Sequence, residues 1–350
     1  MGPPCRRTGR VLFSGTTLVS APGPPSPEGG TYQGVIPVLD LRSQPRPRAH
    51  LAMAAAALAL AGLAAGCQNV VRKLPPYSVR VLAAGPATEI AAAPDGSWFV
   101  TGAGQSWRIL ASGATASWDL PRTPRAQPGV SKVAGLAISP SGRIAVADPT
   151  SNLVWNAGTA ASPSTRVKPL AGTGTTFYPI GDGGLAIAAQ IAHPEGVAWG
   201  PRGDLFVSDT GHNRVRWVGL DGRIFTLAGR GFPEPLGDGG PAANAGLWEP
   251  GPLATSQAGD VFVVDEGHDR VRVIRDRVIR TVAFESGKGL AVDRQGTLFV
   301  TRKKQVDAFV DGHRTVVARD LHAPVGIAAD GRGDLAVADG DRVVLLSPRG

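Results

Sequence analysis

Two stretches of the chain, 56 residues apart, hold its densest sets of reactive side chains: Asp209-Thr-Gly-His212-Asn213-Arg214 and Asp265-Glu-Gly-His268-Asp269-Arg270. A carboxylate, an imidazole and a guanidinium this close together can fix a loop by ion pairing, hold a ligand or supply metal ligands. A second matched pair precedes them at the same spacing, Gly181-Asp182-Gly-Gly and Gly237-Asp238-Gly-Gly. His193 and Glu195 follow the first of these, and Trp248 and Glu249 follow the second.

Repetition weighs toward structure: Asp209 and Asp265 accept loop N–H groups and pair with Arg214 and Arg270, fixing each hairpin. The functional alternative sets Asp182, His193, Glu195, Asp209, His212, Arg214, Asp238, Trp248, Glu249, Asp265, His268 and Arg270 on one ligand-facing surface. A metal site built from His193, His212 and His268 with Glu195 and Glu249 has no short ligand spacing to support it. The carboxylate spacing around Asp182 and Asp238 rules out a helix–loop–helix calcium loop. No metal and no other cofactor is expected, and no catalytic residue is assigned, because nucleophile elbow, phosphate loop and paired carboxylates are all missing. Trp248 suits a binding anchor or a plug that seats the insertion against the body.

The elements that must position these groups are strands. Gly 47 and Pro 30 in 350 residues, with 43% apolar and 18% charged residues, favour many short strands joined by tight turns. One phrase recurs six times: a small residue, an apolar pair, a glycine turn and an alternating apolar strand. The copies span residues 89–102, 135–149, 196–210, 252–266, 289–303 and 326–340. Each is followed by a third apolar strand, as in 214–221, and a fourth, as in 223–230. The predicted fold is all-β, a six-bladed β-propeller of four-stranded antiparallel blades over 77–350. Strand alternation then puts the Asp loops and both G-D-G-G insertions on one face. The last copy ends after its third strand, Arg342–Pro348, and Tyr77–Pro86 reads as the missing fourth, which closes the ring and removes its exposed edge.

The third and fourth copies resemble the NHL repeat, whose pattern after the second strand is Asp, a short loop, Asn, Arg and an apolar strand. The insertion G-D-G-G-P-A is similar to that of many bacterial NHL-type proteins. Copies one, five and six depart from the pattern, with Thr101 and Thr301 in place of the Asp. The resemblance implies a non-enzymatic platform binding a protein, peptide or glycan. The alternative it leaves open is a metal-dependent lyase or lactonase with a site in the central channel. Inward first-strand positions that are mostly Ala, Val, Leu and Ile speak against such a polar axial site.

Residues 1–66 read as a leader: a Pro-, Gly-, Ser- and Arg-rich stretch, then an apolar run over 51–65 of signal-peptide length. Ala64-Ala65-Gly66 before Cys67 resembles a bacterial lipobox, which implies lipidation at Cys67, a tether over 67–76 and residence on the outer face of the cell membrane, with simple secretion as the alternative. Cys5 would leave with the leader, so no internal disulfide is available. Half of the formal net charge of +8 falls in this leader. The mild remainder, with no basic stripe, excludes a nucleic-acid partner.

Overall fold

Apolar residues at a two-residue period, punctuated by glycine, produce strands throughout. A computed structural model describes residues 72–118, 120 and 133–349, so the leader and Cys67 lie outside the described residues. The first strand, β1 (Tyr77–Ala87), precedes blade 1, which is β2 (Glu89–Ala92), β3 (Trp98–Gly102), β4 (Gln105–Ile109) and β5 (Thr115–Ser117). Blade 2 is β6 (Gly135–Ile138), β7 (Arg143–Asp148), β8 (Leu153–Thr159) and β9 (Pro163–Ala171). Blade 3 is β10 (Pro194–Trp199), β11 (Leu205–Asp209), β12 (Arg214–Val218) and β13 (Ile224–Ala228). Blade 4 is β14 (Pro250–Thr255), β15 (Val261–Asp265), β16 (Arg270–Arg275) and β17 (Val278–Phe284). Blade 5 is β18 (Gly289–Val292), β19 (Leu298–Arg302), β20 (Gln305–Val310) and β21 (His313–Ala318). Blade 6 joins β22 (Pro324–Ala329) and β23 (Leu335–Pro348) to β1.

The turn between the first two strands of every blade needs glycine. Gly96, Gly142, Gly203, Gly259, Gly296 and Gly333 all adopt φ between 79° and 98°, which a side chain strongly disfavours. This is the glycine that makes the repeat visible in the sequence.

The ring closes as the sequence predicts. β1 runs antiparallel to the second half of β23, from Tyr77 opposite Pro348 to Ala87 opposite Gly340, while the first half of β23 pairs with β22. Burial confirms a ring: each pair of adjacent blades shares its own apolar cluster, and the one joining blades 6 and 1 holds Val343, Leu345, Ala87, Ile90 and Val100. Residues 72–76, expected to be tether, already touch the body. Arg72 hydrogen-bonds Thr297, Leu74 packs on the blade 5–6 cluster, and the Pro76 carbonyl accepts from the Arg349 N–H at 2.7 Å.

The two insertions are wedges. Ala186, Ala189 and Ile191 are buried between blades 2 and 3, and Ala242, Ala245 and Leu247 between blades 3 and 4. Each insertion also runs beside the outer strand of the blade it precedes, with bridges between Leu185 and Arg223 and between Pro241 and Val278. Part of the outer edges of blades 3 and 4 is thereby covered.

If β1 closes the ring, removal of residues 1–71 leaves the thermal midpoint unchanged, whereas removal through Ala87 lowers it by more than about 10 °C, since several kcal/mol are lost and each shifts the midpoint of a domain this size by roughly 2–4 °C. Calorimetry of the two truncated proteins measures the difference.

Candidate functional site

The face carrying the insertions is organised around two buried carboxylates. β11 and β15 end in Asp209 and Asp265, both fully buried. A carboxylate without water needs several donors, and both have them. Asp209 accepts from the Ala192 N–H (2.8 Å), from His212 Nδ1 (2.8 Å) and from Arg216 Nη1 (2.9 Å). Asp265 accepts from the Trp248 N–H (2.8 Å), from His268 Nδ1 (2.9 Å) and from Arg270 Nε (2.9 Å), with Arg272 Nη1 at 3.5 Å.

The sequence reading paired Asp209 with Arg214; the partner is Arg216. Asp209 and Arg214 are opposed across the β11–β12 ladder, but Arg214 donates to the carbonyls of His212 (2.9 Å) and Arg230 (3.0 Å). Arg216, two positions on, is fully buried and reaches both Asp209 and Asp182, the latter through Nη2 at 2.5 Å. Arg272 repeats this in blade 4, binding Asp238 at 2.8 Å and the Gly246 carbonyl at 2.7 Å. Both G-D-G-G carboxylates are therefore spent on a buried arginine. One guanidinium bridging insertion and Asp loop also verifies that the two lie on one face. The missed signal is the second arginine of Arg214-Val-Arg216 and of Arg270-Val-Arg272: it shares a strand face with the first and lies further into the blade, beside the insertion carboxylate.

Protonation follows from these contacts. His212 faces two acceptors, the Asp209 carboxylate at Nδ1 and the Thr176 carbonyl at Nε2 (3.1 Å), so both nitrogens donate and the imidazolium is favoured. The Asp209 hydrogen bond raises its pKa above 6.5 against the opposing effect of burial. Burial works against the charge of Asp238, but hydrogen bonds from Thr281 and the Arg272 guanidinium outweigh it and hold the carboxyl below its usual range. Burial lowers the Arg272 pKa from its ordinary value.

His193 and Glu249 occupy equivalent positions with φ of 47° and 50°. Their N–H groups are held by the preceding blade, His193 by Asn152 Oδ1 and Glu249 by Asn213 Oδ1, each at 2.9 Å. Asp269 grips the Ser286 N–H in the same way at 2.7 Å. The Asn or Asp that takes positive φ just before the third strand (Asn152, Asn213 and Asp269) is thus a clasp between blades. Trp248 is half-buried, its ring edge-on to His268 at 5.8 Å.

Thr101 and Thr301 do not replace the Asp. Ladder register sets them level with Ser208, and Gly102 and Arg302 take the Asp row. In blade 5 the charges are exchanged: Arg302 stands where Asp209 does, Asp307 where Arg216 does, and they pair at 3.5 Å.

Glu195 lies apart from the insertion face, on the central channel with Glu89 and Lys288. These charged groups join the mostly aliphatic first-strand positions that were expected there, Ile90, Leu136, Val197, Leu253, Leu290 and Ile327. The channel's cavity is about 50 Å³, space for a few waters and far below the volume of an ordinary ligand pocket. A Cβ on Gly196 or Gly289 would strike the carbonyl of Gly251 or Val325 on the next blade, so first strands meet backbone to backbone there. Among the described residues no group of three His, Cys, Asp or Glu side chains is arranged to hold a metal.

No family model matches the chain. Teneurin-m of Drosophila melanogaster is 28% identical over 267 residues, 72% of this chain, and the match spans 9% of that protein's own length. The gluconolactonase from Xanthomonas campestris superposes with a TM-score of 0.57 at 13% identity, covering 80% of this chain and 96% of that one. A protein assigned as a gluconolactonase gives 0.56 at 14% identity, with coverages of 78% and 93%. At such identities the likeness is one of fold.

Substituting Arg216→Met takes the guanidinium from buried Asp209 and from Asp182 and costs about 3–5 kcal/mol. Arg214→Met removes only partly exposed carbonyl bonds, at about 1 kcal/mol; urea denaturation of the two variants distinguishes them. The raised pKa of His212 has a definite sign: its contribution is complete below pH 6.5 and is lost as pH rises through the folded-state value. Stability measured from pH 6 upward should fall over that window, and His212→Gln should flatten the decline.

Proposed function

We propose that the chain is an exported, lipid-anchored propeller that offers its insertion-bearing face to a protein, peptide or glycan partner. The observation that carries this reading is where large apolar residues are exposed. Phe177, Tyr178, Leu185 and Ile187 lie on the connection that carries the first insertion and Phe232, Leu236 and Trp248 on the one that carries the second, seven of the twelve such residues among those described. Exposed aromatic residues grouped on one region mark interaction surfaces. The insertions are held rigidly by Arg216 and Arg272, so little ordering entropy opposes binding there. The NHL-like repeat supports the same reading by analogy of fold.

The lactonase- or lyase-type alternative draws on the fold likeness and on Glu89 and Glu195 at the axis. A channel of about 50 Å³, closed in by backbone, gives such a substrate no room to enter.

Crosslinking in the native envelope, followed by purification, tests the platform. Partners held by the unaltered protein should be lost with Phe177→Ser plus Phe232→Ser and retained with Val81→Ser, an equally exposed position on β1; retention in all three counts against the reading. Labelling with radioactive palmitate should mark the unaltered protein and fail with Cys67→Ser.

A further inference from the structure

Blades 3 and 4 repeat one another at a 56-residue spacing, and the repetition breaks at a single atom. In blade 3 both His212 nitrogens are engaged, Nε2 by the Thr176 carbonyl at 3.1 Å, with the Tyr178 ring 5.3 Å away. In blade 4 His268 keeps its Nδ1 bond to Asp265, but no protein atom among the described residues meets Nε2, although the side chain is only 8% exposed. The residue 56 positions after Thr176 is Phe232, and its carbonyl accepts instead from the Glu234 N–H at 2.9 Å. The cause lies in the chain: the segment from Gly229 to Gly237 is one residue shorter than that from Gly172 to Gly181. The shorter segment turns at Phe232–Glu234 and carries the carbonyl away from the histidine.

A second donor is unpaired beside the first. Arg270 Nε and His268 Nδ1 meet the same Asp265 Oδ2, at 2.9 and 3.0 Å, and Arg270 Nη2 is buried with no acceptor on a side chain 9% exposed. Buried N–H groups are usually paired, and these two lie on side chains that share one carboxylate. Trp248 stands beside the histidine: its ring is edge-on to His268 at 5.8 Å, packs against the Gly267 backbone, where a Cβ would strike it, and is itself 44% exposed. Glu266, the acidic residue on the same turn, is drawn toward Lys288 at 3.9 Å.

We infer that His268, Arg270 and Trp248 form a subsite for a carboxylate, whose two oxygens accept from His268 Nε2 and Arg270 Nη2 once the Trp248 ring turns aside. With Nδ1 committed to Asp265, Nε2 is the His268 nitrogen left to meet the bound oxygen. Planar recognition of a carboxylate by a guanidinium edge and a second donor is the geometry that Arg serves best. The inference rests on the platform reading, since the carboxylate is one that a peptide partner brings, as a C-terminus or an acidic side chain.

The test uses the full chain and acetate as the first probe. Tryptophan emission should change saturably with acetate and not with chloride, and the His268 Nε2 resonance in histidine-¹⁵N-labelled protein should move in parallel. His268→Leu should weaken the response at least tenfold, His193→Ala should leave it intact, and Trp248→Phe should remove the optical change while keeping the resonance shift. Two pentapeptides identify the source: one with a free C-terminus and no acidic side chain, one amidated and carrying a single Glu. Competition by either supports the subsite and names its ligand; competition by neither overturns it. No saturable change, or an undiminished response in His268→Leu, also overturns it. Should that variant not fold, an unmoved His268 resonance in the unaltered protein decides against the subsite. Crosslinked partners still lost with Phe177→Ser plus Phe232→Ser, alongside no acetate response, would remove the subsite and leave the platform standing.

Discussion

A carboxylate with no access to water must find its compensation in protein, and at the end of the second strand this requirement organises the propeller. Asp209 and Asp265 gather a backbone N–H from the segment leading into their own blade, a histidine from the turn and an inward arginine from the third strand. Asp339 does the same in blade 6 with the Ala323 N–H and Arg342, each at 2.8 Å. One side chain thus fixes the start of the first strand, the end of the second and the start of the third. Blade 5 carries opposite charges in the same two rows with the signs exchanged, Arg302 facing Asp307, whose carboxylate also meets Arg314 Nε at 2.9 Å.

Contacts between blades grow from the same rows. Ser208 Oγ donates to the Gly251 carbonyl at 2.5 Å, and Thr301 Oγ1 to the Val325 carbonyl at 2.8 Å. Asn152, Asn213 and Asp269 each hold an N–H of the following blade. Together with the apolar cluster in every gap, these bonds make each blade depend on its neighbour, including the pair at which the chain begins and ends. The two long insertions are part of this economy: their buried alanines, Ile191 and Leu247 fill gaps between blades, and their aspartates neutralise Arg216 and Arg272. What remains exposed on them is aromatic and aliphatic surface held on a rigid base.

The axis and the insertion face are consequently very different environments. At the axis, first strands approach so closely that glycine is required, and Glu89, Glu195 and Lys288 share a narrow channel. On the insertion face, Trp248 and Tyr178 lie beside two equivalent histidines, one fully hydrogen-bonded and one not. A difference of one residue in loop length separates those outcomes.

The sequence alone determined the architecture. Six glycines that must take positive φ, each followed by a strand of period two, specify one hairpin per blade, and local backbone sterics and alternation need no tertiary information to be read. Ring closure by Tyr77–Ala87 was legible for the same reason, since the last copy lacks a strand that the N-terminus can supply. Which arginine meets Asp209 was decided only by the fold: Arg214 and Arg216 share a strand face, and the insertion packed beside the blade holds the second one between Asp209 and Asp182. The assignment of Thr101 and Thr301 to the Asp row was one residue out: counted from the turn glycine, Gly102 and Arg302 stand level with Asp209, as the ladder confirms. Glu195 went to the wrong environment because a residue one step before a glycine can face either the loop or the axis, and only the closed ring sets which. The burial of His212 and the unpaired nitrogen of His268 depend on where a loop carbonyl falls, a matter of ångströms that tertiary packing sets and residue identity does not.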